Sequence, residues 1–262
     1  MRAFETIRLK RDDDGIAWLT LARAQQHNAF NRMMIDEMTE AATMLAADDT
    51  LRAVVLSAEG KSFSAGGDLR WMQEQAAADR ADKMGEAHAL AHMLLALNKL
   101  PMPMIARVQG NGFGGGIGLM AVSDIVIAAA DARFALTETR LGLIPATIGP
   151  FVMRRLGPSG TRQTFITGSM ISAERAQRLG LVAVVAPADQ LDAVLAEELK
   201  AVRAAAPGAM RTAKAYALAQ LGQPDEATIE AAINVLADSW EGEEASAGIA
   251  SFFAKTPPPW TG

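Results

Sequence analysis

Two glycine-rich turns and one glutamate are the parts of this 262-residue chain whose types and spacing could do chemistry. The first turn is FSAGGDL at 63–69 and the second is VQGNGFGGGIG at 108–118. Each follows an apolar, β-prone run, 53–56 and 103–108, and each leads into a stretch able to form a helix. Glycine puts no Cβ between backbone and ligand, so its N–H can approach closely. Two such turns can aim two N–H groups at one developing negative charge, an oxyanion hole for an enolate or a tetrahedral anion. The glutamate is Glu138, in FALTETRLGLIP at 134–145, set among apolar residues and followed by the turn residues Gly142 and Pro145. A carboxyl group in an apolar pocket has its pKa raised, which suits proton transfer near neutral pH. An ion pair with Arg140 or Arg133 explains the same glutamate equally well.

Other motifs compete with this reading. Gly110, Gly112 and Gly115 fit the dinucleotide fingerprint G-x-G-x-x-G. They follow a strand, open a helix, and have Asp131 about 20 residues further on. Against that, the helix is shorter than a dinucleotide unit needs, and the motif lies beyond residue 100 rather than on the first strand. His88 and His92 stand i, i+4 on a predicted helix, but Ala89 replaces the glutamate of H-E-x-x-H and no third strong ligand is near, so no metal is expected. His27, just before Asn28 at a strand-to-helix turn, is placed to touch a polar ligand. Neither G-x-S-x-G nor G-x-x-x-x-G-K-[ST] occurs.

Composition narrows the class. A net charge of −5 argues against a nucleic-acid partner, and Arg154 with Arg155 is too short a basic cluster to change that. With no cysteine there is neither a disulfide nor thiolate chemistry, which fits a reducing compartment. The first fifteen residues are too polar for a signal peptide, and no apolar run reaches membrane-spanning length. A soluble, cytoplasmic protein without membrane partners is the expectation.

The elements that must position these residues alternate. Residues 8–11 and 16–21 read as a hairpin. Asn31 caps a helix whose Met34, Met38, Ala41 and Leu45 share one face. Residues 53–56, 104–108 and 124–129 read as short buried strands, with helices at 88–100 and through Val122. Weak apolar periodicity makes 73–84 a loose, mobile helix or loop. Beyond Ala188 strand signals stop, and 191–206, 208–221 and 227–253 read as helices broken at Pro207 and Pro224. The pattern is an α/β core followed by a helical module.

The ordered set FSAGGDLRWM (63–72), NGFGGG (111–116), FALTE (134–138) and GLIP (142–145) resembles the enoyl-CoA hydratase/isomerase, or crotonase, family. The resemblance runs from HNAF at 27–30 to FFAK at 252–255 and Trp260. It implies a crotonase-like α/β spiral of ββα units over 1–195, binding acyl-CoA, and a C-terminal helical oligomerisation module over 196–262 that builds a homotrimer or a dimer of trimers. Acyl-CoA thioesters are the implied substrates, coenzyme A being part of the substrate and no separate cofactor being implied. By motif position the N–H groups of Gly67 and Gly115 would hold the thioester oxygen. Ala65, Asp68, Leu69 and Arg70 would line the path of the CoA arm and adenine, with His27 nearby. Lys255 would approach the CoA phosphates, from this subunit or a neighbour.

One position departs from the pattern. Two-glutamate hydratases carry an acid two residues after the triple glycine, and here that residue is Gly118, so only Glu138 remains. A single carboxyl group must then serve both proton transfers of a syn hydration, or the reaction is one that needs a single shuttle. The segments HNAF (27–30), GIG (116–118) and IPATIGPF (144–151) resemble bacterial 3-methylglutaconyl-CoA hydratases of leucine degradation, whose substrate has a distal carboxylate that Arg140 is a candidate to meet. Two alternatives stand beside hydration: a Δ3,Δ2-enoyl-CoA isomerase with Glu138 as sole shuttle, and a catalytically silent CoA-thioester binding protein.

Overall fold

The computed structural model of the chain describes residues 4–261. The chain opens with a hairpin of β1 (Ile7–Arg11) and β2 (Ile16–Leu21), whose turn is closed by Asp12 Oδ1 accepting from the N–H groups of Asp14 and Ile16. Helix α1 (Arg32–Ala46) follows, and the Asn31 side chain accepts the Met34 N–H at 3.0 Å as its N-cap. Met34, Met38, Ala41 and Leu45 are buried along one face of α1, as their spacing predicts. Next come β3 (Ala53–Ala58), α2 (Leu69–Ala77), α3 (Arg80–Asn98), β4 (Met104–Val108), β5 (Gly112–Phe113), α4 (Gly115–Val122), β6 (Ile125–Ala129) and β7 (Arg133–Ala135). After a 3₁₀ turn at Glu138–Leu141 come α5 (Gly149–Phe165), β8 (Ile171–Ser172), α6 (Ala173–Arg178) and β9 (Val184–Ala186). Helices α7 (Leu191–Ala204), α8 (Pro207–Leu221), α9 (Glu226–Glu241) and α10 (Glu243–Ala254) complete the described chain.

The main sheet has the order β1-β2-β3-β4-β6-β9, and every pair except β1–β2 is parallel. Strand order follows chain order without reversal, so the chain advances in one direction as it winds. A smaller sheet, β5-β7-β8, forms a second layer. Parallel bridges Phe30–Gly67 and Ser64–Gly112 carry that layer back through the earlier turns. Each coil is thus a long strand, a turn, a short extended segment and a helix, which is the spiral of ββα units implied by the resemblance. In a doubly wound dinucleotide fold the ligand sits where strand order reverses. No such point exists in this sheet.

Parallel strands covered on both faces read as continuous apolar runs, which is why β3 and β4 are legible as AVVL and MIA. Two expectations change, and one helix has an irregularity of its own. Residues 73–84 are neither loop nor a single loose helix: α2 ends at Ala77, and Asp79 caps α3 by accepting the Asp82 N–H at 2.9 Å. Apolar periodicity is weak there because α2 has no fully buried residue and turns part of its surface to a cavity instead of the core. The predicted helix 227–253 is two helices, parted at Gly242, whose backbone is extended. Finally, α5 is kinked at Gly157 (φ 64°) ahead of Pro158, which interrupts any helical period in that stretch.

Candidate active site

The two glycine turns lie on successive coils and touch. Phe30 N–H donates to Gly66 O at 2.7 Å, and Asp68 N–H donates to Phe30 O at 2.8 Å. A parallel bridge uses those two flanking groups, so the N–H of Gly67 between them points away from Phe30 and has no partner among the described residues. In the second turn Phe113 N–H donates to Ser64 O at 2.9 Å and Gly114 N–H to Ala135 O at 3.3 Å. Gly115 opens α4, so its N–H has no intrahelical acceptor, and it finds none elsewhere among the described residues. The contact between turns explains the glycines. A Cβ on Gly110 would lie 2.0 Å from Lys61 O, and one on Gly116 would lie 2.9 Å from Ser64 Cβ. Within the G-x-G-x-x-G pattern, Gly110 therefore records the stacking of one turn on the other, Gly112 and Gly115 face the rings of Phe134 and Phe30, and Asp131 is an exposed turn residue.

Glu138 begins the 3₁₀ turn that ends at Gly142 (φ 72°). Helix α10 presses directly on this turn: a Cβ on Gly142 would meet the Glu244 backbone at 2.3 Å, and one on Gly248 the Leu141 backbone at 2.5 Å. Oε1 of Glu138 sits over Gly114, 3.1 Å from where a Cβ would be, so the carboxyl group lies against the second turn. Oε2 is buried and accepts no hydrogen bond from any of the described residues. Neither arginine considered from the sequence reaches it. Arg133 Nη1 donates to the carbonyls of Asp131 and Ala132 at 3.0 and 2.9 Å, and Arg140 is exposed without an ion pair among the described residues. Burial without a cation pushes the Glu138 carboxyl up to about 7, against a smaller opposing pull from its own backbone.

Two chambers meet at this carboxyl. The inner one, about 150 Å³, has a largely apolar wall that includes Trp71, Leu143, Ile148 and Trp240. The outer one, about 500 Å³, is bounded by Ala65, Leu69, Phe113 and, from α10 and beyond, Phe252 and Pro258. Gly67, Met72, Gly114 and Glu138 border both. A ligand that fills both chambers passes the two free N–H groups and the glutamate at their junction.

The enoyl-CoA hydratase/isomerase family model matches residues 11–262. The chain belongs to that family. A Thermus thermophilus protein named as an enoyl-CoA hydratase is 31% identical over 248 residues, covering 93% of this chain and 96% of the relative. A Streptococcus mutans trans-2-decenoyl-[acyl-carrier-protein] isomerase is 32% identical over 184 residues, 70% of each chain. The crystal structure of an enoyl-CoA hydratase from Shewanella pealeana superposes with a TM-score of 0.80 at 34% identity, covering 98% of this chain and 96% of that one. The fold is the crotonase-like spiral.

Within this hydratase/isomerase framework the expected site residues separate. Gly67, Gly115 and Glu138 line the inner chamber together, and Ala65 and Leu69 line the outer one. Asp68 does not line either. It caps α2 by accepting the Arg70 N–H at 2.9 Å, and Arg23 holds its other oxygen at 2.9 Å. Burial raises the Asp68 carboxyl, but the Arg23 and Arg70 hydrogen bonds outweigh it and leave the group below its ordinary value. Arg70 points to solvent and pairs with Glu74 at 3.2 Å. His27 is an exposed left-handed residue (φ 51°) whose carbonyl accepts the Ala65 N–H at 2.9 Å, steadying the first turn from below. Lys255 is exposed at the end of α10 and borders neither chamber of its own subunit. Arg140 borders the outer chamber, not the inner one.

At Gly118 the structure adds a reason for the missing acid. A Cβ there would stand 3.0 Å from Ile148 Cγ2 and 3.2 Å from Leu94 Cδ1, both fully or nearly fully buried. The room for a second carboxyl group is filled with hydrocarbon. The histidines resolve into separate pairs, His88 with Glu230 at 3.0 Å and His92 with Glu226 at 3.2 Å, which tie α3 to α9. Sequence reasoning passes over Lys83, Glu86 and Trp240, which line the inner chamber. Lys83, Glu86, Ala87 and Leu90 are spaced i, i+3, i+4, i+7, so one face of α3 was the available signal, disguised by its two charges.

Proposed function

We propose that this protein is an enoyl-CoA hydratase that adds water across the C2–C3 bond of a short or branched 2-enoyl-CoA with one glutamate as its only proton shuttle. The observation that carries this reading is the unpartnered Glu138 Oε2 at the junction of an apolar chamber and an open one, beside two free backbone N–H groups. The N–H groups of Gly67 and Gly115 polarise the thioester carbonyl and hold the enolate oxygen, and the positive end of α4 adds to that field. Ionised Glu138 takes a proton from water as its oxygen attacks C3. The same carboxyl group, now protonated, returns that proton to C2 on the same face. A pKa near 7 lets one group do both, since neither protonation state is scarce at neutral pH.

The substrate suggested by the sequence, 3-methylglutaconyl-CoA, fits this proposal as a branched member of the class. Ala65 and Leu69 in the outer chamber are suited to the CoA arm. We also propose self-association through the C-terminal helices, which expose Tyr216, Leu221 and Val235. A second reading, Δ3,Δ2-enoyl-CoA isomerisation, is favoured by the hydrocarbon packed over Gly118, because moving a proton from C4 to C2 needs one carboxylate and no bound water.

Mass-resolved turnover of crotonyl-CoA, 3-methylglutaconyl-CoA and a 3-enoyl-CoA separates these. A gain of one water with either 2-enoyl ester is the expected result; conversion of only the 3-enoyl ester without mass change overturns hydration in favour of isomerisation. Glu138→Gln should lower kcat on the order of 10²–10⁴-fold. Turnover unchanged in that variant would overturn Glu138 as the proton shuttle, and turnover absent from the parent with CoA esters still bound leaves the silent binding protein.

A further inference from the structure

The inner chamber is apolar except for a few side chains, and its charged residues are Glu138, Glu86 and Lys83. Glu86 is occupied. Its Oε1 accepts from Arg32 Nη1 at 3.1 Å and its Oε2 from Trp71 Nε1 at 3.0 Å. Arg32 offsets the Glu86 charge while also meeting Asp36 at 2.8 Å on the solvent side. Lys83, one turn before Glu86 on α3, makes no ion pair among the described residues. Its ammonium lies 5.7 Å from the centre of the Trp240 ring, a cation–π contact with a residue that is itself part of the chamber wall. An ammonium held half-buried against an aromatic wall, with its neighbouring carboxylate engaged elsewhere, keeps its three N–H donors for something else.

The position says what that is. Lys83 and Trp240 border the inner chamber only, while the two N–H groups and Glu138 stand where it joins the outer one. An acyl group whose thioester carbonyl sits at Gly67 and Gly115 therefore extends towards Lys83. The chamber, about 150 Å³, is of the size that takes a benzene molecule, roughly six non-hydrogen atoms. Beyond its thioester carbonyl a glutaconyl group has four carbons and two carboxylate oxygens, which matches that size. We propose that Lys83 is a specificity-determining residue that binds a carboxylate at the far end of the acyl group, so that the preferred substrates are thioesters of short dicarboxylic acids. This rests on the acyl-CoA reading of the site, and it moves the carboxylate-binding role from Arg140 to Lys83.

Equilibrium binding of two non-reacting esters tests it: glutaryl-CoA, and 5-methylhexanoyl-CoA, in which an isopropyl group replaces the carboxylate. Lys83→Met keeps an unbranched apolar stem against Trp240 and removes the charge. It should weaken glutaryl-CoA binding by about 10- to 100-fold, the worth of a hydrogen bond to a charged group, and leave the isopropyl ester within about twofold. Lys83→Arg should retain most of the glutaryl-CoA affinity, which a purely structural role of the stem would not predict. Glutaconyl-CoA and 5-methylhex-2-enoyl-CoA, compared by kcat/KM, should show the same split. If Lys83→Met changes both esters alike, or neither, the assignment of Lys83 falls while the acyl-CoA reading stands. If the parent protein binds neither ester, the acyl-CoA reading falls and takes this inference with it.

Discussion

Glu138 should make the protein less stable as the pH rises, and replacing it should remove that loss. Burial raises its carboxyl from 4.5 to about 7, a gap of about 2.5 pH units. At 1.36 kcal/mol per unit, the ionised group costs the folded state about 3 kcal/mol relative to the neutral one. Because the folded-state pKa is the higher one, this stability is fully present below about pH 4.5, is lost between there and about pH 7, and is not regained at higher pH. Glu138→Gln has nearly the same shape and no charge. Its amide brings a cost of its own for unmet hydrogen bonds, but that cost does not depend on pH. The variant's stability relative to the parent should therefore improve by about 2–3 kcal/mol between pH 5 and pH 8.5. For a chain of this size that is about 5–10 °C in melting temperature. Thermal or urea unfolding of both proteins at several pH values measures it. A difference that stays constant across that range would show that Glu138 is solvated or paired in solution, and the argument for a tuned carboxyl group would fail with it.

Two further predictions concern the packing around this carboxyl. Gly118→Glu should lower stability by about 2–4 kcal/mol, because its side chain meets Ile148 and Leu94 and brings a charge into hydrocarbon. Adding Ile148→Ala should recover part of that loss by opening space, and urea titration of the single and double variants would contradict this if the second change only added to the damage. Gly248→Ala places a Cβ 2.5 Å from the Leu141 backbone and so should lift α10 from the turn that carries Glu138. Activity should fall more steeply than stability, since the α10 contact holds the glutamate turn; equal, small losses in both assays would show that the contact is not what positions it.

Much of this design is local and so can be read from the chain. The buried parallel strands are apolar runs, Asn31 announces a helix start, and the two glycine turns and Glu138 stand out by type and spacing. The absence of an acid at Gly118 is likewise visible in one dimension. These features depend on backbone conformation and near neighbours, which a sequence states directly. The short second-layer strands β5, β7 and β8 are too brief to show any period, and their existence depends on pairing with other coils. Whether Glu138 was paired with an arginine or left bare turned on where Arg133 and Arg140 go, and both lie within five residues of it yet do not reach its carboxyl group. The ties of Glu86 to Arg32, 54 residues away, and of Lys83 to Trp240 on α9 are likewise tertiary. Desolvation and charge pairing are properties of a three-dimensional neighbourhood. Composition and spacing therefore identify which groups are available for chemistry, and only the folded arrangement decides which of them are left free to act.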